Sequence, residues 1–330
     1  MAGVAEGSAA DAPKVLVWGP PRAGKTSILK VVFQKMSPCE ALFIETTKNV
    51  EVTSVNRNAL VRFKVLDFPG NSMFGEDLNV FKNVGVVVFV VDAQEDSFTG
   101  AVSMAKKIIL LACRANAKIS FDVLVHKLDG DHFFNEDQKC QIQRDIHSKI
   151  TEELEEKVNA KVTSHCTSIY DHTVFKAFSK IVQKILPEVP TLETSLDYLI
   201  SNSRMEKAYL FDIISKVYIA SDPQPVDIQS YELCSDMIDV VIDVSCIYGI
   251  TEDGNSIAST IEQDCQSRCI IHLHNGTLLY LNQVDRCLAL VCIIRDEVFE
   301  HQQYLLDYNI KIFQEALEEI KAARDLPDGP

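Results

Sequence analysis

The chain has no long hydrophobic run. Its longest apolar stretch, Val84–Val91, falls well short of the roughly 20 residues that a membrane-spanning helix needs. Nor do its ten cysteines form a metal or disulfide pattern. The closest pair, Cys265-x3-Cys269, has no second pair or His pair at zinc-ligand spacing, so we expect free thiols in a reducing compartment. The second half is poor in positive charge. Residues 1–190 carry 23 Lys+Arg against 23 Asp+Glu, whereas residues 191–330 carry 9 against 24, which is the whole net charge of −15. Binding to a nucleic-acid backbone needs clustered Lys and Arg, so no nucleic-acid partner is expected. No signal-peptide pattern precedes Pro13. Alanine follows the initiator where myristoylation needs glycine, and the last residues hold no prenylated cysteine. The expectation is a cytoplasmic protein that meets a membrane only through partners.

At 330 residues the chain is long enough for about two domains. Residues 1–12 read as a disordered tail. From Lys14 to about Leu186, the apolar runs Val15–Trp18, Phe63–Asp67, Val84–Asp92, Phe121–His126 and Lys161–Cys166 alternate with helical patterns. Those patterns cover Lys25–Met36, Thr99–Ala112, Glu136–Glu156 and Val174–Ile185. Runs that are apolar throughout suit strands buried on both faces, so the alternation predicts a mostly parallel sheet between helices. Pro187 and Pro190 mark a linker.

The second half reads as α+β. Ala208–Ala220 is strand-like, a helix spans about Ser230 to Tyr248, and Asn275-Gly276 between two apolar runs predicts a type I′ hairpin. Cys287–Arg295 is a further strand, and a helix near Gln302–Ala323 keeps Phe313, Ala316, Leu317 and Ile320 on one face. On the 230–248 helix, Leu233, Met237, Val240, Val241 and Val244 form a stripe expected to face a core. An acidic stripe of Glu232, Asp236, Asp239 and Asp243 lies beside it, and Ile238 and Ile242 widen the apolar surface. That combination suggests a partner surface of complementary positive charge.

Three motifs carry chemistry. Gly19-Pro-Pro-Arg-Ala-Gly24-Lys25-Thr26 matches the phosphate-binding loop, set between a strand and a helix as the motif requires. Its backbone amides and the helix N-terminus attract phosphate. Arg22, Ala23, Gly24, Lys25, Thr26 and Ser27 are therefore the phosphate-side candidates, with Lys25 reaching the β/γ-phosphates and Thr26 a ligand for Mg²⁺. Asp67-Phe-Pro-Gly70 follows the next strand as a DxxG turn; Asp67 would hold Mg²⁺ and the Gly70 amide would meet the γ-phosphate. His126-Lys127-Leu128-Asp129 ends a third strand. A fixed carboxylate at Asp129 accepts from both guanine donors, which adenine lacks, and the Lys127 stem covers the base. A backbone amide in Thr167-Ser168-Ile169 would meet guanine O6. A phosphotransferase would need an acceptor site and a mobile lid, and neither has a signature here. Trp18, the one tryptophan, directly precedes Gly19 and is expected to report occupancy of that loop.

With these motifs in place, the chain resembles the Rag GTPases of the C/D type. The resemblance runs through Lys30–Ser37, Asp67–Gly70, Val91-Asp-Ala-Gln94, the His-Lys-x-Asp form, Arg144–His147, Thr167–His172, Tyr231–Cys234 and Asp236–Gly249, and covers nearly all of 14–320. It implies a Ras-like P-loop domain over 13–188, then a roadblock/longin-like dimerisation domain over 189–325 and a tail at 326–330. It makes His126 part of the nucleotide site and Thr47 the threonine that closes on Mg²⁺ and the γ-phosphate. It implies GTP or GDP as ligand, an A/B-type Rag protein as heterodimer partner through the C-terminal domain, and a Ragulator-like scaffold. The role implied is relaying amino-acid sufficiency to the target-of-rapamycin complex at the lysosome or vacuole. One position departs from the family: Asn71 stands where a glutamine normally sits near the attacking water. A side chain shorter by about 1.5 Å costs on the order of 100-fold in a positioning-dependent step. The alternative is thus a guanine-nucleotide-binding scaffold subunit with little or no hydrolysis.

Overall fold

The structure is a computed structural model that describes residues 12–58, 60–72, 78–95, 97–129, 133, 135–152, 154, 158, 160–248 and 267–325. It divides into two compact units, one made of residues up to Asn56 and Val61–Ile185, the other of Leu186 onward together with Arg57–Leu60. The expectations for Cys265, Gly249 and the two tails lie outside the described residues.

In the first unit the elements run β1 (Lys14–Trp18), α1 (Lys25–Gln34), α2 (Pro38–Ala41), β2 (Glu51–Asn56), β3 (Arg62–Asp67), β4 (Val84–Asp92), α3 (Thr99–Ala115), β5 (Ser120–His126), α4 (Glu136–Thr151), β6 (Val162–Thr167) and α5 (Thr173–Ile185). The sheet order is β2-β3-β1-β4-β5-β6. All neighbours pair in parallel except β2, which is antiparallel to β3. Alternate residues serve opposite faces. Leu16, Trp18, Val87, Phe89, Phe121 and Val123 pack with α3 and α4 through Ile108, Ile109, Ile146 and Ile150. The other face is covered by α1 and α5, whose Phe33 and Phe178 meet edge to face at 5.5 Å. Strand β2 was not expected from the sequence. It is an edge strand, mostly polar and largely exposed, and so lacks the continuous apolar run that marks the interior strands.

The second unit runs α6 (Val189–Ser203), β7 (Lys207–Asp212), β8 (Tyr218–Ser221), α7 (Ile228–Tyr248), β9 (Arg268–His272), β10 (Thr277–Asp285), β11 (Leu288–Arg295) and α8 (Asp296–Asp325). Its antiparallel sheet has the order β8-β7-β11-β10-β9. The register puts Ala208, Cys292 and Tyr280 on one face, where the Tyr280 hydroxyl donates to Asp307 of α8 at 2.9 Å. The opposite face carries Tyr209 and Phe211, and Phe211 packs on Tyr231 of α7 at 5.7 Å. The sheet thus lies between α7 on one side and α6 with α8 on the other.

Four expectations are corrected here. Pro190 does not mark a linker; it occupies the first turn of α6, where the missing amide costs no helical hydrogen bond. The stretch Ala208–Ala220 is two strands, folded back through a turn with Lys216 at φ +53°. The hairpin at Asn275-Gly276 is not type I′, because only Gly276 has a positive φ, +76°. Pairing of Leu278 with His272 and the bond from the Leu273 amide to the Thr277 carbonyl leave a three-residue loop ending in left-handed glycine.

The last correction concerns α7. Its core face is Tyr231, Cys234, Ser235, Met237 and Ile238, all within 2% exposure, so of the expected stripe Met237 does face the core, while Leu233, Val240 and Val244 are 43–49% exposed. The buried face is turned roughly a third of a turn from the expected stripe. Tyr231 decides this: its hydroxyl donates to the Lys216 carbonyl at 2.8 Å and its ring packs on Phe211 and Tyr218. One anchored aromatic outweighs several valines. Of the acidic stripe, Asp239 pairs with Lys216 at 2.5 Å.

The rotation is testable in the isolated chain by urea unfolding. Ile238→Ala is expected to cost about 2–5 kcal/mol, and Val240→Ala less than about 0.5 kcal/mol. Equal losses at the two positions would restore the stripe read from the sequence.

Candidate functional site

The parallel strands β1, β3, β4, β5 and β6 all end at one edge of their sheet, and the loops leaving them surround a cavity of about 820 Å³. Most of the residues singled out from the sequence line it: Arg22, Gly24 to Ser27, Thr47, Gly70, Asn71, His126, Lys127, Asp129 and Ile169. Ala23, Asp67 and Ser168 are buried behind that lining.

On one side, β1 leads through the glycine-rich loop into α1. Gly24 is the N-cap of α1 at φ +96°, and a Cβ there would lie 2.6 Å from the His126 ring, so only glycine fits. The Lys25 ammonium donates to the carbonyls of Gly19 and Pro20 at 3.0 and 2.8 Å. Burial lowers its pKa, against the pull of Asp67. Across from it, Gly70 lies so close to the same loop that a Cβ would sit 2.3 Å from the Pro21 nitrogen. Asn71 is exposed at the cavity wall.

Three oxygens converge beside Lys25. The Thr26 hydroxyl donates to Asp67 Oδ2 at 2.5 Å and lies 2.6 Å from the Thr47 hydroxyl. Burial raises the Asp67 pKa, partly offset by the Thr26 bond, and Asp67 Oδ1 is buried without a hydrogen-bond partner among the described residues. A carboxylate with an orphaned oxygen and two hydroxyls is a hard-oxygen donor set that fits Mg²⁺. No cluster of three or more His, Cys, Asp or Glu with metal-binding geometry occurs among the described residues. Any cation here would therefore depend on hydroxyls and on ligand oxygens.

On the other side, β5 ends in His126, which is 1% exposed. Its Nδ1 lies 3.1 Å from the Thr167 hydroxyl, and burial pulls its pKa down to about 4. Ser168 donates to Asp129 Oδ1 at 2.8 Å, and Asp129 is exposed in the cavity lining. The Ser168 amide is already bonded to Thr173 Oγ1 at 2.9 Å, and the Tyr170 amide to Ser168 Oγ at 3.1 Å. The Ser168 amide is thus taken up within its own loop, and its hydroxyl is the group that holds Asp129. Trp18 stacks on Phe68 at 4.4 Å, which sets its ring against the Asp67–Gly70 turn.

Two residues that the sequence reading quoted only within the family-resembling segment Val91–Gln94, with no site role, lie here. Asp92, 8% exposed at the end of β4, bonds Lys127, and Gln94 lines the cavity. A charge ending an otherwise apolar strand was the available signal.

Fold and site together define a guanine-nucleotide-binding P-loop protein of the Ras-like class. The model of the Gtr1/RagA G protein conserved region matches residues 14–238. The chain is 45% identical over 320 residues to human Ras-related GTP-binding protein C, covering 95% of this chain and 78% of that protein. It is 45% identical to mouse Ras-related GTP-binding protein D over 94% and 69%, and 40% identical to GTP-binding protein GTR2 of Saccharomyces cerevisiae over 93% and 92%. Relatives of the other type match more weakly, for example Ras-related GTP-binding protein A of Dictyostelium discoideum at 25% identity over 68% of the chain. The chain belongs to the Gtr1/RagA family and is a Rag GTPase of the C/D type. Its ligands are GTP and GDP. No helix among the described residues is long and apolar enough to cross a membrane.

His126 makes stability depend on pH in a definite direction. The unfolded histidine takes up its proton near pH 6.5 and the native one near 4, so acidification through that window favours unfolding by up to about 1.4 kcal/mol per pH unit. Denaturant unfolding at pH 7, 5.5 and 4.5 is expected to show a flatter pH dependence for His126→Asn than for wild type. Parallel curves would mean that the imidazole is not held neutral by the fold.

Proposed function

We propose that this chain is the C/D-type subunit of a Rag heterodimer, a guanine-nucleotide switch that relays amino-acid sufficiency to the target-of-rapamycin complex at the lysosomal or vacuolar surface. The observation that carries the switch reading is a single cavity with the Asp129–Ser168 pair at one end and the Lys25, Thr26, Thr47 and Asp67 cluster at the other. In this reading Asp129 accepts from the guanine N1 and N2 donors and the Ile169 amide meets O6. The Lys127 stem covers the base, and His126 shapes the floor beneath. Amides of Arg22, Ala23, Gly24 and Ser27 cradle the phosphates with the Lys25 ammonium. Thr26, Thr47 and Asp67 hold Mg²⁺, which when bound neutralises phosphate charge. Gly70 offers its amide to the γ-phosphate. Asn71 orients water less well than a longer amide, so hydrolysis is slow without an activating protein.

The second unit is read as a roadblock/longin-like dimerisation domain. Support comes from its helix–sheet–helix layering and from α7, which exposes Leu233, Val240, Val244 and Ile247 beside an acidic row. An A/B-type Rag domain with complementary charge covers that surface, and a Ragulator-like scaffold supplies the membrane contact.

Base reading is tested by Asp129→Asn, which presents a donor where guanine also presents donors. GTP affinity is expected to fall by 10-fold or more, because a bidentate pair is worth about 1–3 kcal/mol, with xanthosine triphosphate gaining in its place. GTP affinity unchanged within about 3-fold removes Asp129 from the base site. For dimerisation, residues 191–330 mixed with an A/B-type second domain should run as a 1:1 complex in size exclusion with light scattering. Residues 1–190 should not. A dimer kept by 1–190, or a monomeric 191–330 beside its partner, overturns the assignment.

A further inference from the structure

Two residues in the nucleotide loops hold a backbone conformation unusual for anything but glycine. Arg22, in the phosphate loop, has φ +62°, and Lys127, in the base-reading loop, has φ +65°. Such conformations persist only where the surroundings over-determine them, and at this site one ammonium group serves both. Lys127 Nζ donates to the Arg22 carbonyl at 2.8 Å and to Asp92 Oδ2 at 2.5 Å.

The bonds around Lys127 form a closed circuit. Asp92 Oδ1 accepts the Gln94 amide at 2.9 Å, which fixes the turn that follows β4. Gln94 Nε2 then donates to the Lys127 carbonyl at 3.0 Å. Lys127 is thus gripped at its backbone by Gln94 and at its side chain by Asp92, and the same side chain reaches across to the phosphate loop. Asp92 is 8% exposed, in a setting where a charge-assisted bond is strong and costly to break. The Asp129–Ser168 contact lies outside this circuit.

We propose that Asp92 and Gln94 are positioning residues for guanine-nucleotide binding: acting through Lys127, they hold the base-reading loop and the phosphate loop in one register. Neither residue reads the base. Their loss therefore speeds release of the nucleotide while leaving the choice of base intact. The inference deepens the guanine-nucleotide reading above and rests on it.

The test follows dissociation of fluorescent GDP from the full chain, with thermal midpoints measured in parallel. Asp92→Asn keeps the shape but sets an amide against the ammonium, and GDP release is expected to quicken about 10- to 100-fold. Gln94→Ala loses one neutral hydrogen bond, for an expected 2- to 10-fold. Because the circuit is closed, the double variant should release GDP within about 3-fold of Asp92→Asn alone. The ratio of GDP to xanthosine diphosphate affinity should stay at the wild-type value in all three. GDP release within 2-fold of wild type in the variants, with or without a lower thermal midpoint, overturns the inference. So does a changed base ratio. Gln94 is an exposed turn residue, so Gln94→Ala decides the matter even if Asp92→Asn does not fold. A wild-type chain that fails to retain GDP overturns the guanine-nucleotide reading itself and is distinguishable from either result.

Discussion

The first unit depends on one constraint: its interior strands are buried on both faces and all point the same way. Along β1 and β4 nearly every residue is apolar and inaccessible, and the one carboxylate buried inside β5, Asp122, is paired with Lys184 and His165. A polar group there is costly unless it is paired, as Asp122 is, so most polar chemistry collects where the ladders stop. In a parallel sheet the strands stop at one edge, outside their carboxyl ends. Lys25, Asp67, Asp92, His126 and Ser168 are all buried polar residues, and each lies at or just beyond such an end.

That concentration shapes the electrostatics. Lys25 and Asp67 are both pushed toward neutrality by burial and drawn back by each other. At His126 burial outweighs the opposing pull of Asp129 and Asp92, so it remains the neutral imidazole. The site therefore presents a few strongly oriented groups in a low-dielectric pocket instead of a diffuse basic surface. This agrees with a first half whose formal charges cancel. Glycine at positions 24 and 70 lets neighbouring loops approach to within contact of one another.

The second unit solves a different problem. Its antiparallel sheet is covered on both faces, and the helices that cover it leave apolar side chains outward. On α7 these are Leu233, Val240, Val244 and Ile247, and on α8 they are Tyr304, Tyr308 and Ile312. Exposed apolar rows on helices that are already packed mark surfaces for other proteins. The whole net negative charge of the chain falls in this half.

Much of the site was legible in the sequence because its motifs are contiguous and their spacing is local chemistry: glycine-rich loop, DxxG turn, and the His126–Asp129 segment, each ending an apolar run. The interior strands were legible for the same reason, since burial on both faces leaves an unbroken hydrophobic signature. Other features needed the tertiary structure. Edge strand β2 has no such signature. The buried face of α7 was set by where Tyr231 could anchor, and valine and isoleucine counts alone favour another face. That Ser168 would spend its hydroxyl on Asp129, and that Asp92 and Gln94 would close around Lys127, depends on residues 33 to 39 positions apart in the chain meeting at one sheet edge. The sequence determines which loops carry the chemistry, and the packing of the sheet determines which atoms of those loops are free to use it.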